Sequence, residues 1–366
     1  MKPTIVFLTN ELTHVNGRAT TGYELCDYLI KQQFDVRILT YQGARNDPIA
    51  EHIFPVLPAQ KPQILPYCLK TLFRAPVKRA DLVICNLEEF LPLAVLLKFK
   101  LRSKAVLIGQ GTYIYYPFVR PAKKHLARLL LRQLDLLVVP SRYTHDKVRE
   151  FFQGRMAVIN WGVNPARHFP VKDVAKEPAF VFVGELKARK GIYVLLPAFE
   201  RLRREFPELK LYLVGGTQRY DGAMAELNLP PNVMLTGEIA ETTLLSAYYS
   251  KAIAHVLPSV STPDSFEGFG IVHLEANACG IPTIGAFDSG NEDAIVDGVT
   301  GFLCPPQDVD FLYEKMKLLV TDAALRERMG AQAYAYAMQH TWHQAGAQLV
   351  AALNPLLGGA GVGCRG

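Results

Sequence analysis

Short apolar runs, each followed by turn residues, recur along all 366 residues of the chain, and stretches at helical period fill the gaps between them. The first half offers "TIVFLT", "DVRILT", "DLVIC", "AVLIG", "DLLVVPS" and "MAVIN". The second offers "AFVFVG", "KLYLVGG", "VMLTG", "AHVLPS" and "PTIGA". Between them run segments such as "TGYELCDYLIKQQF", "GIYVLLPAFERLRREF" and "TTLLSAYYSKA". A strand that is apolar on both faces belongs in a parallel sheet with helices on either side. Two such series, in a chain longer than one core usually serves, predict two doubly wound α/β domains.

The periodicity breaks in "VINWGVNPARHFPVKDVAKEP", where Pro165, Pro170 and Pro178 interrupt mixed charge. The expected division is a first domain over 1–165, a linker over 166–178 and a second domain over 179–338. The helical stretch "TWHQAGAQLVAALNPLL" closes the fold over 339–357, packing back on the first domain, and 358–366 reads as a frayed tail.

Several classes drop out. The N-terminal apolar run "IVFL" is too short for a signal peptide, and no window approaches a membrane span. Six scattered cysteines without a CxxC pair suggest reduced thiols in a cytoplasmic protein. A dinucleotide oxidoreductase needs GxGxxG after its first strand, and "NELTHVNGRATTG" does not fit. Nucleic-acid binding is disfavoured because the aromatics do not interleave with the basic residues in a known module. The net charge of +6 suits an anionic ligand without naming one.

Ligand crevices in parallel sheets lie at the carboxyl ends of strands. "FVGELKARKG" puts Glu185, Arg189, Lys190 and Gly191 in the first strand-to-helix loop of the second domain, and a lysine at a helix N-terminus suits phosphate. "DSFEGFGIVHLEANACG" carries Glu267 and Glu275 eight residues apart, with Gly268 and Gly270 between them. The glycines let the backbone turn tightly and approach a ligand. The helix beginning near Ile271 presents free N–H groups to oxygen, while ionised carboxylates accept from hydroxyls. The same pattern also serves as a helix cap beside a solvated face.

"SFEGFGIVHLEANACGIPTIG" resembles the E-x7-E donor site of retaining glycosyltransferases of family 4, and "FVGELKARKG", "VMLTGEI", "AHVLPS", "DSGNEDAIVDGVTGFLCPPQD" and "VINWGVN" extend the likeness over most of 1–357. The resemblance implies the GT-B fold: two Rossmann-like domains facing each other across a cleft, with the acceptor side in the first domain. It implies a nucleotide-diphosphate sugar as donor and a glycan or lipid-linked acceptor; no cofactor is expected, and no residue cluster offers a credible metal site. Glu267 would touch the transferred sugar, beside the backbone of Gly268, Phe269, Gly270 and Ile271. Glu275 would hold the ribose, Lys190 the pyrophosphate, and Gly237 and Ile239 the base. Asn16 and Gly17 would approach the phosphates from the first domain, and retention would use the leaving phosphate to help deprotonate the acceptor on the same face.

Two positions depart from the family pattern. Glu185 stands where arginine is usual, so that Arg189 supplies the missing charge or Glu185 orients Lys190. Gln110 in "GQGTY" stands where histidine is usual, and glutamine donates hydrogen bonds but carries no proton. "DVD" at Asp308–Asp310 imitates a metal motif, yet its place before "FLYEKMKLL" makes it a helix start. From Phe90 to Leu134 there are nine Lys and Arg residues and no carboxylate. Arg120, Lys124, Arg128 and Arg132 recur every four residues, a basic helix face suited to an anionic membrane surface or a lipid-diphosphate acceptor. The alternative is an ordinary surface helix whose Leu126, Leu129, Leu130 and Leu134 pack inward. Two rival functions share these features: a nucleotide-sugar-binding protein without useful turnover, and a GT-B sugar phosphorylase or epimerase.

Overall fold

The computed structural model describes residues 2–9, 12–13, 16–40, 49–57, 64–216 and 229–358. The residues read as a frayed tail therefore lie, from 359 on, outside the described residues. The chain forms two compact units: unit 1 is the chain up to Ile159 together with the chain from Trp342 onward, and unit 2 is Asn160–Thr341.

Unit 1 contains β1 (Thr4–Leu8), β2 (Asp35–Leu39), β3 (Ile53–Phe54), β4 (Leu82–Cys85), β5 (Lys104–Ile108), β6 (Leu136–Val139) and β7 (Met156–Val158). All pair in parallel, in the order β3-β2-β1-β4-β5-β6-β7. The helices that cross between them are α1 (Gly17–Lys31), α2 (Ile64–Arg74), α3 (Leu91–Leu101), α4 (Thr112–Tyr115), α5 (Pro121–Leu131) and α6 (Arg142–Arg149). The apolar runs predict these strands because both faces are buried: Ile5, Val6, Phe7 and Leu8 of β1 all have no exposed surface. The short β3 has no such run behind it.

Unit 2 follows the same logic with β8 (Ala179–Val183), α7 (Ile192–Glu205), β9 (Lys210–Val214), β10 (Val233–Gly237), α8 (Thr242–Lys251), β11 (Ala254–Val256), α9 (Ile271–Ala278), β12 (Thr283–Ala286), β13 (Gly301–Cys304), α10 (Val309–Thr321) and α11 (Ala323–Gln339). Its sheet runs β10-β9-β8-β11-β12-β13. Alternate residues of β8 feed separate cores: Phe180 and Phe182 join Leu211, Leu213 and Phe199, while Ala179, Val181 and Val183 join Tyr212, Tyr249 and Ile281. The proline-rich stretch after Asn160 is part of this unit, with Val171 N–H donating to Ser250 Oγ at 2.9 Å and Ser246 Oγ donating to the Arg167 carbonyl at 3.2 Å. The final helix, α12 (Trp342–Leu353), returns to unit 1 and packs on α1, where Tyr28 meets His343 edge-on at 5.3 Å.

Strand order places the sites. In unit 2 the chain runs outward one way from β8 through β9 to β10, and the other way from β11 through β12 to β13. The loops after β8 and β11 therefore part at the carboxyl edge, which is where doubly wound sheets take ligands. In unit 1 the same reversal falls between β1 and β4. Asp308 is the N-cap of α10, accepting Phe311 N–H at 2.8 Å, and Asp310 pairs with Arg201 at 2.5 Å.

Candidate active site

At the switch point of unit 2 the loop after β8 meets the loop before α9. Arg189 and Lys190 lie on a 3-10 turn (Ala188–Lys190) that Gly191 joins to α7. Both reach the same carboxylate: Lys190 Nζ and Arg189 Nη1, the latter at 3.3 Å, pair with Glu267 Oε2, and Ser259 Oγ donates to that oxygen at 3.3 Å. The pair is almost out of solvent, each side chain 12% exposed for Lys190 and Glu267. Burial alone would raise the Glu267 carboxyl, but the charges of Lys190 and Arg189 outweigh it and hold it at about 2. Burial also lowers the Lys190 ammonium, while Glu267 pulls it back towards its charged form. Two cations on one carboxylate leave a surplus positive charge beside the N-terminus of α9.

Gly270 makes that N-terminus possible. It is left-handed, with φ of +80°, and a methyl there would lie 2.6 Å from Asn291 Oδ1 and 2.8 Å from the His273 ring. Phe266 and Phe269 are buried and anchor the loop on either side. Beneath it, His255 and His273 both turn Nδ1 towards the Thr283 hydroxyl, which is able to donate to one and accept from the other. Burial holds His273 down at about 3, despite the pull of Glu267, so the layer under the site is neutral.

Glu275 lies one turn into α9, its carboxylate 15% exposed. Tyr249 Oη donates to it at 3.4 Å, and His168 Nε2 lies 3.7 Å from its other oxygen. Burial lowers His168, with Glu275 opposing. Glu185 pairs with Lys187 at 2.6 Å and its charge also acts on Lys190, while Arg189 brings a second cation to Glu267. Gly237 and Ile239 lie at the end of β10, where Ile239 packs against the core around Tyr212 and Tyr249. The donor-side candidates of unit 2 thus line the carboxyl edge of one sheet. Sequence reasoning missed Ser259, Tyr249 and His168; Ser259 had a signal, since it follows Pro258 directly at the end of an apolar strand.

In unit 1, Asn16 caps α1, its Oδ1 accepting Ala19 N–H at 3.0 Å, and Gly17 opens the helix. The Gln110 amide donates to Asn86 Oδ1 at 2.9 Å, and Asn86 Nδ2 donates to the Arg18 carbonyl at 3.0 Å. Gln110 is therefore held by its neighbours. The basic residues of α5 divide: Arg120 is the N-cap with its guanidinium 4.4 Å over the Tyr116 ring, Arg132 is the C-cap, and Lys124 and Arg128 are half-buried. Leu134 is buried as expected and Leu130 half-buried, but Leu126 and Leu129 are 56% and 57% exposed. The inward-packing alternative fails for these two, because the face that meets the core is the one bearing Leu131.

Two parallel α/β units, each with candidate residues at its switch point, define the class as a GT-B glycosyltransferase fold. Comparison with known proteins carries this further: residues 15–167 match the family model "Glycosyltransferase Family 4", and residues 165–336 match "Glycosyl transferases group 1". The chain belongs to the glycosyltransferase family that these two domains describe. It is 31% identical over 207 residues to a glycogen synthase of Mycobacterium tuberculosis, covering 54% of this chain and 49% of that one. It is 28% identical over 251 residues to a GDP-mannose-dependent alpha-(1-6)-phosphatidylinositol monomannoside mannosyltransferase of Mycolicibacterium smegmatis, covering 63% and 65%. The chain thus spans about half to two thirds of the length of these curated relatives. Among solved structures, the sucrose-phosphate synthase of Thermosynechococcus elongatus superposes with a TM-score of 0.81 at 23% identity, covering 98% of this chain and 100% of that one. Among the described residues, no helix is long and apolar enough to cross a membrane.

Proposed function

We infer that the protein is a retaining glycosyltransferase. It moves a hexose-type sugar from a nucleotide-diphosphate sugar to a glycan or lipid-linked acceptor, in cell-surface polysaccharide or glycolipid synthesis. The observation that carries the reading is the convergence of Lys190 and Arg189 on Glu267 at the N-terminus of α9. A departing diphosphate needs positive charge placed in advance, and a surplus cation beside free helix N–H groups supplies it. Glu267 is ionised and able to accept from hydroxyls of the transferred sugar, and Glu275 accepts from the ribose. Because Lys190 and Arg189 provide the charge, the reaction runs without a metal. The mannosyltransferase relative, whose name states a GDP-mannose donor and a lipid acceptor, favours the same substrate classes. The test incubates the protein with radiolabelled UDP- and GDP-hexoses and candidate acceptors, with and without excess EDTA. Transfer that persists in EDTA, with the anomeric configuration of the donor retained, is the expected result. Donor loss that depends on added phosphate would favour the phosphorylase reading, and binding without loss would favour the binding-protein reading.

Unit 1, taken as the acceptor side, rests against an anionic membrane in this reading. Phe73 on α2, Phe99 on α3, and Leu126 and Leu129 on α5 are 82%, 62%, 56% and 57% exposed, on helices that pack side by side as α2 on α3 and α3 on α5. Lys and Arg residues stand on the same helices α3 and α5, and apolar side chains beside basic ones favour an anionic lipid surface. Reversing Arg120, Lys124 and Arg128 to glutamate should abolish sedimentation with phosphatidylglycerol vesicles and leave nucleotide binding intact. Wild type that ignores such vesicles would remove the membrane from the reading.

A further inference from the structure

Within unit 2, the Glu275 carboxylate is approached from a stretch of chain that the reading above leaves without a role. Ser246, Tyr249 and Ser250 are buried on one face of α8, at i, i+3 and i+4. Ser246 Oγ donates to the Arg167 carbonyl at 3.2 Å, and Ser250 Oγ accepts the Val171 N–H at 2.9 Å, so this face carries the segment 167–171. The Cys279 thiol, at the end of α9, is hydrogen-bonded to Ser246 and to the Phe169 backbone. His168 is thereby pinned beside both helices, and only 6% of it is exposed.

The hold on Glu275 is otherwise thin. Tyr249 Oη lies 3.4 Å from Glu275 Oε2 but also 3.5 Å from the Val272 carbonyl, and a hydroxyl has one proton to give. His168 Nε2 lies 3.7 Å from the other carboxylate oxygen, within ion-pair reach and slightly long for a hydrogen bond. Among the described residues no further side-chain donor reaches this carboxylate. The second ring nitrogen, His168 Nδ1, is buried and has no hydrogen-bond partner among the described residues. Burial lowers the pKa of the ring, with Glu275 opposing and Arg167 assisting, so near neutral pH it carries one proton. On Nδ1 that proton would meet no acceptor, and Nε2 would turn a lone pair on the carboxylate. On Nε2 it faces Glu275 Oε1, so electrostatics select that tautomer.

We propose that His168 is a positioning residue for Glu275: it holds one carboxylate oxygen while Tyr249 holds the other, which aims the remaining lone pairs at two neighbouring hydroxyls of a ribose. A carboxylate held at both oxygens is not free to rotate, and a fixed pair of acceptors matches a vicinal diol better than a single hydroxyl. The inference rests on the glycosyltransferase reading above, in which Glu275 accepts from the ribose.

The test measures binding by calorimetry of UDP and GDP, and of their 2′,3′-dideoxy counterparts, to wild type, His168→Phe and His168→Gln. The phenylalanine keeps a ring in the buried site and removes the donor, whereas the glutamine restores an N–H donor. Wild type should bind its preferred nucleotide diphosphate roughly 10–100-fold more tightly than the dideoxy form. His168→Phe should lose roughly three- to tenfold for the ribonucleotide and nothing for the dideoxynucleotide, which has no diol for Glu275 to grip. His168→Gln should keep most of the ribonucleotide affinity. A His168→Phe protein that weakens both ligands alike has lost general structure, and that result overturns the proposal. So does a glutamine variant as weak as the phenylalanine one, or a wild type indifferent to the missing hydroxyls. Wild type that binds neither UDP nor GDP defeats the glycosyltransferase reading itself, and this inference with it.

Discussion

Glu267→Ala should lower the melting temperature of the protein by roughly 6–20 °C, because removing one partner of a buried ion pair costs about 3–5 kcal/mol and each kcal/mol is worth roughly 2–4 °C in a unit of this size. What remains after the substitution is Lys190, beside Arg189 and without its direct carboxylate partner. The double variant Glu267→Ala/Lys190→Met removes the stranded charge and should recover much of the loss. If the double variant melts no higher than the single, the ion pair is not what holds the loop. Acid should act through the same group. The Glu267 carboxyl lies at about 2, below its ordinary 4.5, so its contribution is fully present above pH 4.5 and fades as the pH falls towards 2. The shift corresponds to about 3 kcal/mol, in line with the cost of breaking the pair. Turnover should fall more steeply than stability explains if, as proposed, Glu267 grips the sugar and its contacts strengthen as charge develops at the anomeric carbon. Free nucleotide diphosphate should still bind, as two cations released from a carboxylate attract it at least as well. Calorimetry showing lost nucleotide affinity in a folded Glu267→Ala protein would assign Glu267 to the nucleotide instead of the sugar.

The sequence makes the sheets legible because their strands are buried on both faces, and continuous apolar runs such as "AFVFV" have few other uses. The two-residue β3 offers no such run, and β13 hides in "TGFLC", a segment noticed only as part of the family likeness. Glu267 and Glu275 are legible because glycines at Gly268 and Gly270 punctuate an otherwise helical stretch. Their partners are less so. That Arg189 joins Lys190 on one carboxylate, while Glu185 pairs with Lys187, depends on how the loop after β8 and its short 3-10 turn aim four side chains, and local periodicity does not encode that aim. The regular basic spacing in α5 invites the idea of a continuous stripe, yet the structure spends its two ends on caps and half-buries the middle, leaving two leucines outward.

Gly290→Ala should cost roughly 10²-fold in kcat/KM for the donor, although Gly290 is not expected to touch it. The residue opens the turn after β12, and its N–H donates to the Glu267 carbonyl at 2.8 Å. A methyl on Gly290 would lie 2.1 Å from the Gly268 carbonyl oxygen and 2.6 Å from the Phe269 nitrogen. Both are backbone atoms of the loop that carries Glu267, so no side chain is free to swing aside and the loop itself has to retreat. The retreat needed is about 1 Å, and misplacement on that scale in a reacting geometry costs on the order of 100-fold. It also breaks the bond to the Glu267 carbonyl and disturbs the approach of Lys190 and Arg189, so some stability is lost as well. Gly298→Ala provides the control: its added methyl meets nothing within 4 Å, so it should lose some stability to its positive φ of 72° and keep its donor kinetics. Equal kinetic losses in the two variants would mean that the effect is general loosening of unit 2. A Gly290→Ala protein with wild-type kcat/KM would mean that the Glu267 loop tolerates displacement, and that its geometry matters less to the reaction than its charge.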